Sequence, residues 1–141
     1  MTKVALSLCL VFFGAIVLKA QNDAYNIQLD VTGWSDTTVY LGYYYGESTY
    51  IKDTAQVNGQ GEAIFNGPEV LNQGIYFIVM DKRKMLEFVV GSDQDFKITT
   101  DTVNYAGNAK VEGDRDNELF FENIQFLASM NKRAQPYVAQ V

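Results

Sequence analysis

The chain has 141 residues with 11 basic and 17 acidic side chains, a formal net charge of −6, one cysteine and no histidine. Without imidazole there is no Ser-His-Asp or Cys-His catalysis and no histidine metal site, and the acidic balance disfavours nucleic acid and anionic lipid heads as partners. The length suits one ordinary domain with its own core.

Residues 1–20 have the pattern of a signal peptide. Lys3 gives a positive n-region, Val4 to Val17 an apolar h-region, and Ala20 a small residue before Gln21. The apolar run is shorter than the ~20 residues that span a bilayer, and Lys19 closes it. The expected product is exported to the periplasm or cell envelope, with no membrane span after cleavage. It would also lack Cys9, and with it any disulfide, thiol nucleophile or thiolate ligand. Losing Lys3 and Lys19 as well would bring the net charge near −8, from nine basic and 17 acidic residues.

From Tyr25 the period is two. Tyr25, Ile27, Leu29 and Val31 alternate with polar residues, which predicts a half-buried strand. Gly33 to Asp36 turns into a second strand, Thr37 to Tyr45, with Val39, Leu41, Tyr43 and Tyr45 on one face and Tyr40 and Tyr44 on the other. Gly46-Glu47-Ser48 closes a hairpin onto Thr49 to Val57, whose alternation puts Asp53 on the face of Ile51, Ala55 and Val57. Asn58-Gly59-Gln60-Gly61 is a turn before a short strand, Glu62 to Asn66, which Gly67-Pro68 breaks. The most hydrophobic part of the mature chain, Gly74 to Gly91, predicts a central hairpin turning at Asp81-Lys82-Arg83-Lys84, its first strand covered on both faces. Asp95 to Thr100 and Ala109 to Glu112 complete eight short strands.

At Gly113 the period becomes helical. Asp114 is placed to cap, Asp116 to oppose the helix dipole, and Phe120, Ile124, Leu127 and Met130 recur on one face, with Leu119 and Phe126 widening it. Pro136 is expected to end or kink the helix. The whole predicts a mainly β fold, an antiparallel β-sandwich or open barrel of about eight strands with one C-terminal helix. Residues 21–113 would form the β-domain and 114–141 a helical segment that starts a linker or a following domain.

Three sets of residues could carry chemistry. Asp93-Gln94-Asp95 and Asp114 to Glu118 offer oxygen ligands at close spacing, but neither matches a calcium loop, and a turn and a helix cap account for them. Asp53 with a second acid would be the minimum for a carboxylate hydrolase; a hydrogen bond across the sheet is the simpler expectation. Tyr40, Tyr44 and Tyr50 crowd one hairpin, where tyrosines can stack on sugars or anchor a protein, or simply suit strands. No catalytic, cofactor or metal residue is assigned. Leu119, Phe120, Ile124, Leu127 and Met130 form the candidate partner-binding face, and Tyr40, Tyr44 and Tyr50 the candidate ligand-binding one.

Several spaced features carry a resemblance: Tyr50-Ile51-Lys52-Asp53-Thr54, Gly61 with Phe65 and Gly67, Gly74-Ile75-Tyr76, Phe88 with Asp93-Gln94-Asp95-Phe96, and Val111-x-Gly113 followed by Asp116-Asn117 and Phe120. From about Tyr25 to Gln135 the chain resembles the β-domain of unknown function at the N-terminus of thioredoxin-like envelope proteins from Bacteroidota. The resemblance implies a non-catalytic exported accessory domain whose partner is a thioredoxin-like domain or another envelope protein. In that family a helical segment leads to a thioredoxin-like domain with a Cys-x-x-Cys pair, and the end at Val141 fits a truncated or split version. The mature chain has no cysteine, so no redox role transfers to any residue here. The alternative is a stand-alone module that binds a glycan or other ligand on a tyrosine-rich face.

Overall fold

The computed structural model describes residues 24–138 except Asp36 and Asp81, and of residues 137 and 138 the backbone only. The expected signal segment lies outside the described residues. Eight strands precede one helix: β1 (Tyr25–Thr32), β2 (Thr38–Tyr45), β3 (Ser48–Gln56), β4 (Glu62–Gly67), β5 (Gly74–Met80), β6 (Arg83–Val90), β7 (Asp95–Asp101), β8 (Lys110–Glu112) and α1 (Arg115–Val138).

The strands form two four-stranded sheets, in the orders β4-β1-β7-β8 and β3-β2-β5-β6. They face each other as a sandwich with no closed barrel, because inward residues of both sheets are the alternate apolar ones. Ile27, Leu29, Phe65 and Ile98 of the first sheet meet Leu41, Ile78, Phe88 and Val90 of the second in one core. The sheets differ in kind. All pairs are antiparallel except β1 with β7, which run parallel from Asn26↔Asp95 to Thr32↔Asp101. The sequence pattern predicts antiparallel pairing throughout, yet a parallel neighbour needs only a long connection and not a helix between the two strands. Here the entire second sheet lies between β1 and β7 in sequence and supplies it.

Two register shifts alter the faces read from the sequence. In β3, Asp53 pairs with Leu41 while Ile51 pairs with Gly42, so Lys52 is an extra residue and the alternation changes phase there. Ile51 therefore turns outward and is 54% exposed, not buried beside Asp53. In β6, Val79 pairs with Lys84 and Ile78 with Leu86, which leaves Met85 unpaired. That hairpin closes at Met80↔Arg83, so Arg83 and Lys84 belong to the strand and the turn is shorter than the four residues expected. Its second turn residue, Lys82, takes a positive φ of 63°.

β5 is covered on both faces over Tyr76, Phe77 and Ile78, whereas Ile75 is exposed. Phe77 points outward and is still buried, because its cross-strand neighbour is Gly42: a Cβ there would come within 2.3 Å of the Phe77 ring. The ring lies down over that gap, with Tyr44 tilted against it at 4.9 Å.

Candidate functional site

The strand orders leave β6 and β8 as edges, one of each sheet, and α1 lies against both. Its start is fixed by a short polar network. Gly113 has a positive φ of 97°, and the Asp114 carboxylate accepts a hydrogen bond from the Asp116 amide at 3.0 Å, an N-cap bond. The fully buried Asn117 then reaches the free edge of β6. Its Oδ1 accepts from the Val89 amide at 2.8 Å, and its Nδ2 donates to the Val89 carbonyl at 2.7 Å and to Asp114 Oδ2 at 2.6 Å. One carboxamide thus replaces a missing neighbouring strand, satisfying both backbone groups of Val89. One turn on, Phe121 enters the core at 2% exposure, and Gln125 Nε2 donates to the Ala109 carbonyl at 2.9 Å.

Beyond Gln125 the helix leaves the sandwich, and residues 126–136 are all exposed. It also continues past Pro136 to Val138, so the proline does not end it there; a missing proline N–H removes one bond from the ladder. The five helix residues proposed from spacing therefore separate into two groups. Phe120 and Ile124 pack against the core, lining with Lys84, Met85 and Ala106 a cleft of about 290 Å³ beside β6. Leu119, Leu127 and Met130 remain open to solvent at 48%, 52% and 43%, joined by Phe126 at 59%. The sequence reading missed Phe121 and the clamp made by Asn117. The buried face is Asn117, Phe121, Ile124 and Gln125, and the two amides at its ends conceal it from a count of apolar positions.

The tyrosines do not form one surface. Tyr50 pairs with Tyr43 on the inner face of the hairpin, where the Tyr43 ring stacks between Tyr50 and Tyr76 at 5.7 and 5.8 Å. Burial, and then Tyr43, push the Tyr76 hydroxyl above its ordinary pKa. Tyr40 and Tyr44 lie on the outer face, 37% and 38% exposed. So Tyr50 cannot join them in binding one ligand. Tyr44 donates to Glu87 Oε1 at 2.5 Å and accepts from Lys84, which is also 3.1 Å from Glu87 and 4.8 Å over the Tyr44 ring. The Tyr44 hydroxyl, and then Lys84, hold the Glu87 carboxyl below its usual range, while Tyr44 and then Glu87 raise Lys84.

The candidate carboxylates are occupied structurally. Asp53 accepts from the Tyr25 hydroxyl at 2.9 Å and from the Thr54 amide at 2.7 Å. Asp95 accepts from Asn26 at 2.8 Å, and the buried Gln94 between it and Asp93 clamps the Leu71 backbone through both ends of its carboxamide at 2.9 Å. Among the described residues no three metal-type ligands converge.

The sequence profile of a domain of unknown function, DUF4369, matches residues 25–120. The chain belongs to this family. The matched span of the DUF4369 domain takes in all eight strands and the helix as far as Phe120, hence the Asp114 cap and the Asn117 clamp. Ile124, Leu127 and Met130 lie beyond it. A comparison with curated protein sequences returns no match. No described helix is long and apolar enough to cross a membrane.

Proposed function

We propose that this DUF4369 domain is a non-catalytic, exported accessory module that docks onto a thioredoxin-like domain or another envelope protein through the outward side of α1. The observation that carries the reading is the helix itself: beyond Gln125 it stands clear of its own sandwich while presenting Phe126, Leu127 and Met130. A helical extension of this length has little stability in water without packing. Export is supported by the pattern of residues 1–20, and a thioredoxin-like partner by the family resemblance. Absence of catalysis is supported by the lack of histidine and by the structural bonds of Asp53, Asp95 and Asp114. The test is an NMR titration of the purified protein with a thioredoxin-like envelope domain. Shifts should concentrate at Leu119, Phe126, Leu127 and Met130; no shift at a saturating excess of that domain removes this partner.

A second reading is favoured by Tyr40 and Tyr44, which stand exposed on the same flat outer face with Ile51 and Ile75 around them. Such a surface can stack on a glycan ring. Tyrosine ring signals would report binding; Trp34 would not, because it is 5% exposed and bonded to the Tyr105 hydroxyl. Glycan titration without saturable tyrosine shifts refutes this reading.

A further inference from the structure

The outward side of α1 is self-complementary in one orientation only. Leu119, Phe126 and Met130 fall within a narrow stripe at helical spacing, on the side opposite Asn117 and Phe121. Charge along the helix is unequal: Arg115, Asp116, Glu118 and Glu122 give its first half a net negative charge, while Lys132 and Arg133 make its second half positive. Glu122 and Arg133 flank the apolar stripe on the same side. When two such helices cross antiparallel, same-side flanks face each other, so the Glu122 of each copy meets the Arg133 of the other.

Two registers set by different residues coincide. The midpoint of Glu122 and Arg133 falls between Leu127 and Ala128, and the midpoint of Phe126 and Met130 falls at Ala128. One two-fold axis at that level pairs Phe126 with Met130 of the partner and closes both ion pairs. A parallel pairing would instead set acidic half against acidic half. The helix dipole favours the same charge order within one copy, but it does not call for an apolar pair, Phe126 and Met130, centred on the charges; Leu119 lies outside that pair, towards the start of the helix. Within one copy Arg115 holds Glu118 at 2.7 Å and forms only a long ion pair with Glu122 at 4.0 Å, with which the partner's Arg133 would compete.

We infer that the occupant of this face is a second copy of the chain, joined by antiparallel pairing of the two α1 helices about Ala128. The inference rests on the reading of α1 as a docking surface and names what docks there. A seam of a few side chains on one helix is small beside the ~1,000 Å² of a stable interface, so the expected dimer is weak and a tighter partner can displace it.

Sedimentation velocity of the purified protein over roughly 10 μM to 1 mM, the range suited to such an interface, should show a monomer–dimer equilibrium. Glu122→Lys and Arg133→Glu should each weaken the dimer about 3- to 10-fold, and the double variant should restore it to within about twofold. Phe126→Asp should abolish it without changing the thermal unfolding of the sandwich, which that residue does not touch. A monomer at every concentration overturns the self-pairing and leaves docking to another protein standing. A dimer indifferent to the charge exchange, or one that survives Phe126→Asp, overturns the assigned geometry.

Discussion

Replacing Asn117 should cost more than replacing any other polar residue of the helix. In Asn117→Ala three hydrogen bonds vanish, and the Val89 amide, the Val89 carbonyl and one Asp114 oxygen lose a partner. A buried polar group left unpaired costs about 1–3 kcal/mol. Water reaches part of this edge, so the expected loss of unfolding free energy is about 3–4 kcal/mol. Asn117→Asp keeps the shape but sets a carboxylate against the Asp114 oxygen, where the amide now sits at 2.6 Å, and against the Val89 carbonyl. Burial and Asp114 would push the new carboxyl above its ordinary range, whereas in the unfolded chain it titrates near ~3.9. With the folded value raised, its penalty is absent below the unfolded pKa and grows as pH rises through the folded one. Asn117→Asp should therefore be less stable than Asn117→Ala at pH 7, and the gap should narrow towards pH 4. Urea unfolding followed by Trp34, the single tryptophan and a core residue, measures both. A loss below about 1 kcal/mol in Asn117→Ala, or a gap that does not change with pH, would refute the clamp.

Phe121→Ala should lose about 3–5 kcal/mol in the same assay, while Phe126→Ala, at 59% exposure, stays within about 0.5 kcal/mol of the parent; equal effects would mean that the helix is packed by its other face. Gly61 has a φ of 90°, and a Cβ there would sit 2.4 Å from the Val31 carbonyl oxygen, so Gly61→Ala combines a left-handed penalty of about 1–2 kcal/mol with a backbone clash and should exceed ~2 kcal/mol in total. Tyr44→Phe removes the largest cause of the lowered Glu87 pKa and should raise it towards the ordinary carboxylate range, as read by NMR titration. The stability that Glu87 contributes is present above its unfolded pKa and fades as pH falls through the folded value; with the side chain 46% exposed, the effect should stay below about 1 kcal/mol. A Glu87 titration unmoved by Tyr44→Phe would contradict the hydroxyl's role.

The elements most visible in the sequence are those whose side chains alternate without a break. β1 and β7 follow the period-two pattern closely, and their cores, Ile27, Leu29, Phe96 and Ile98, are the ones expected. Legibility fails where a single extra residue enters a strand. Nothing in Tyr50-Ile51-Lys52-Asp53 marks Lys52 as a bulge, yet that residue decides whether Ile51 is core or surface. The parallel β1–β7 pair is equally hidden, since residues within a strand do not encode the direction of a neighbour more than sixty positions away. Tyr50 was misplaced for a related reason: which face it takes relative to Tyr40 and Tyr44 depends on the hairpin register, not on its own identity.

The helix shows why the candidate site was only half readable. Spacing identified an amphipathic element, but two different faces overlap on it, and apolar counting merges them. One face is anchored by carboxamides, Asn117 and Gln125, whose role is to satisfy backbone groups of β6 and of the segment before β8; it buries Phe121 between the sheets. The other is apolar and exposed, from Leu119 through Phe126 to Met130. A polar substitution at Phe120 would therefore disturb the fold as well as any docking, since that ring packs on the core, whereas Leu119, Phe126 and Met130 can be changed with the sandwich left intact. That separation is what makes the docking reading open to test: stability should follow the first face, association the second, and a variant that moves both together must lie on Phe120 or Ile124, where the two faces meet.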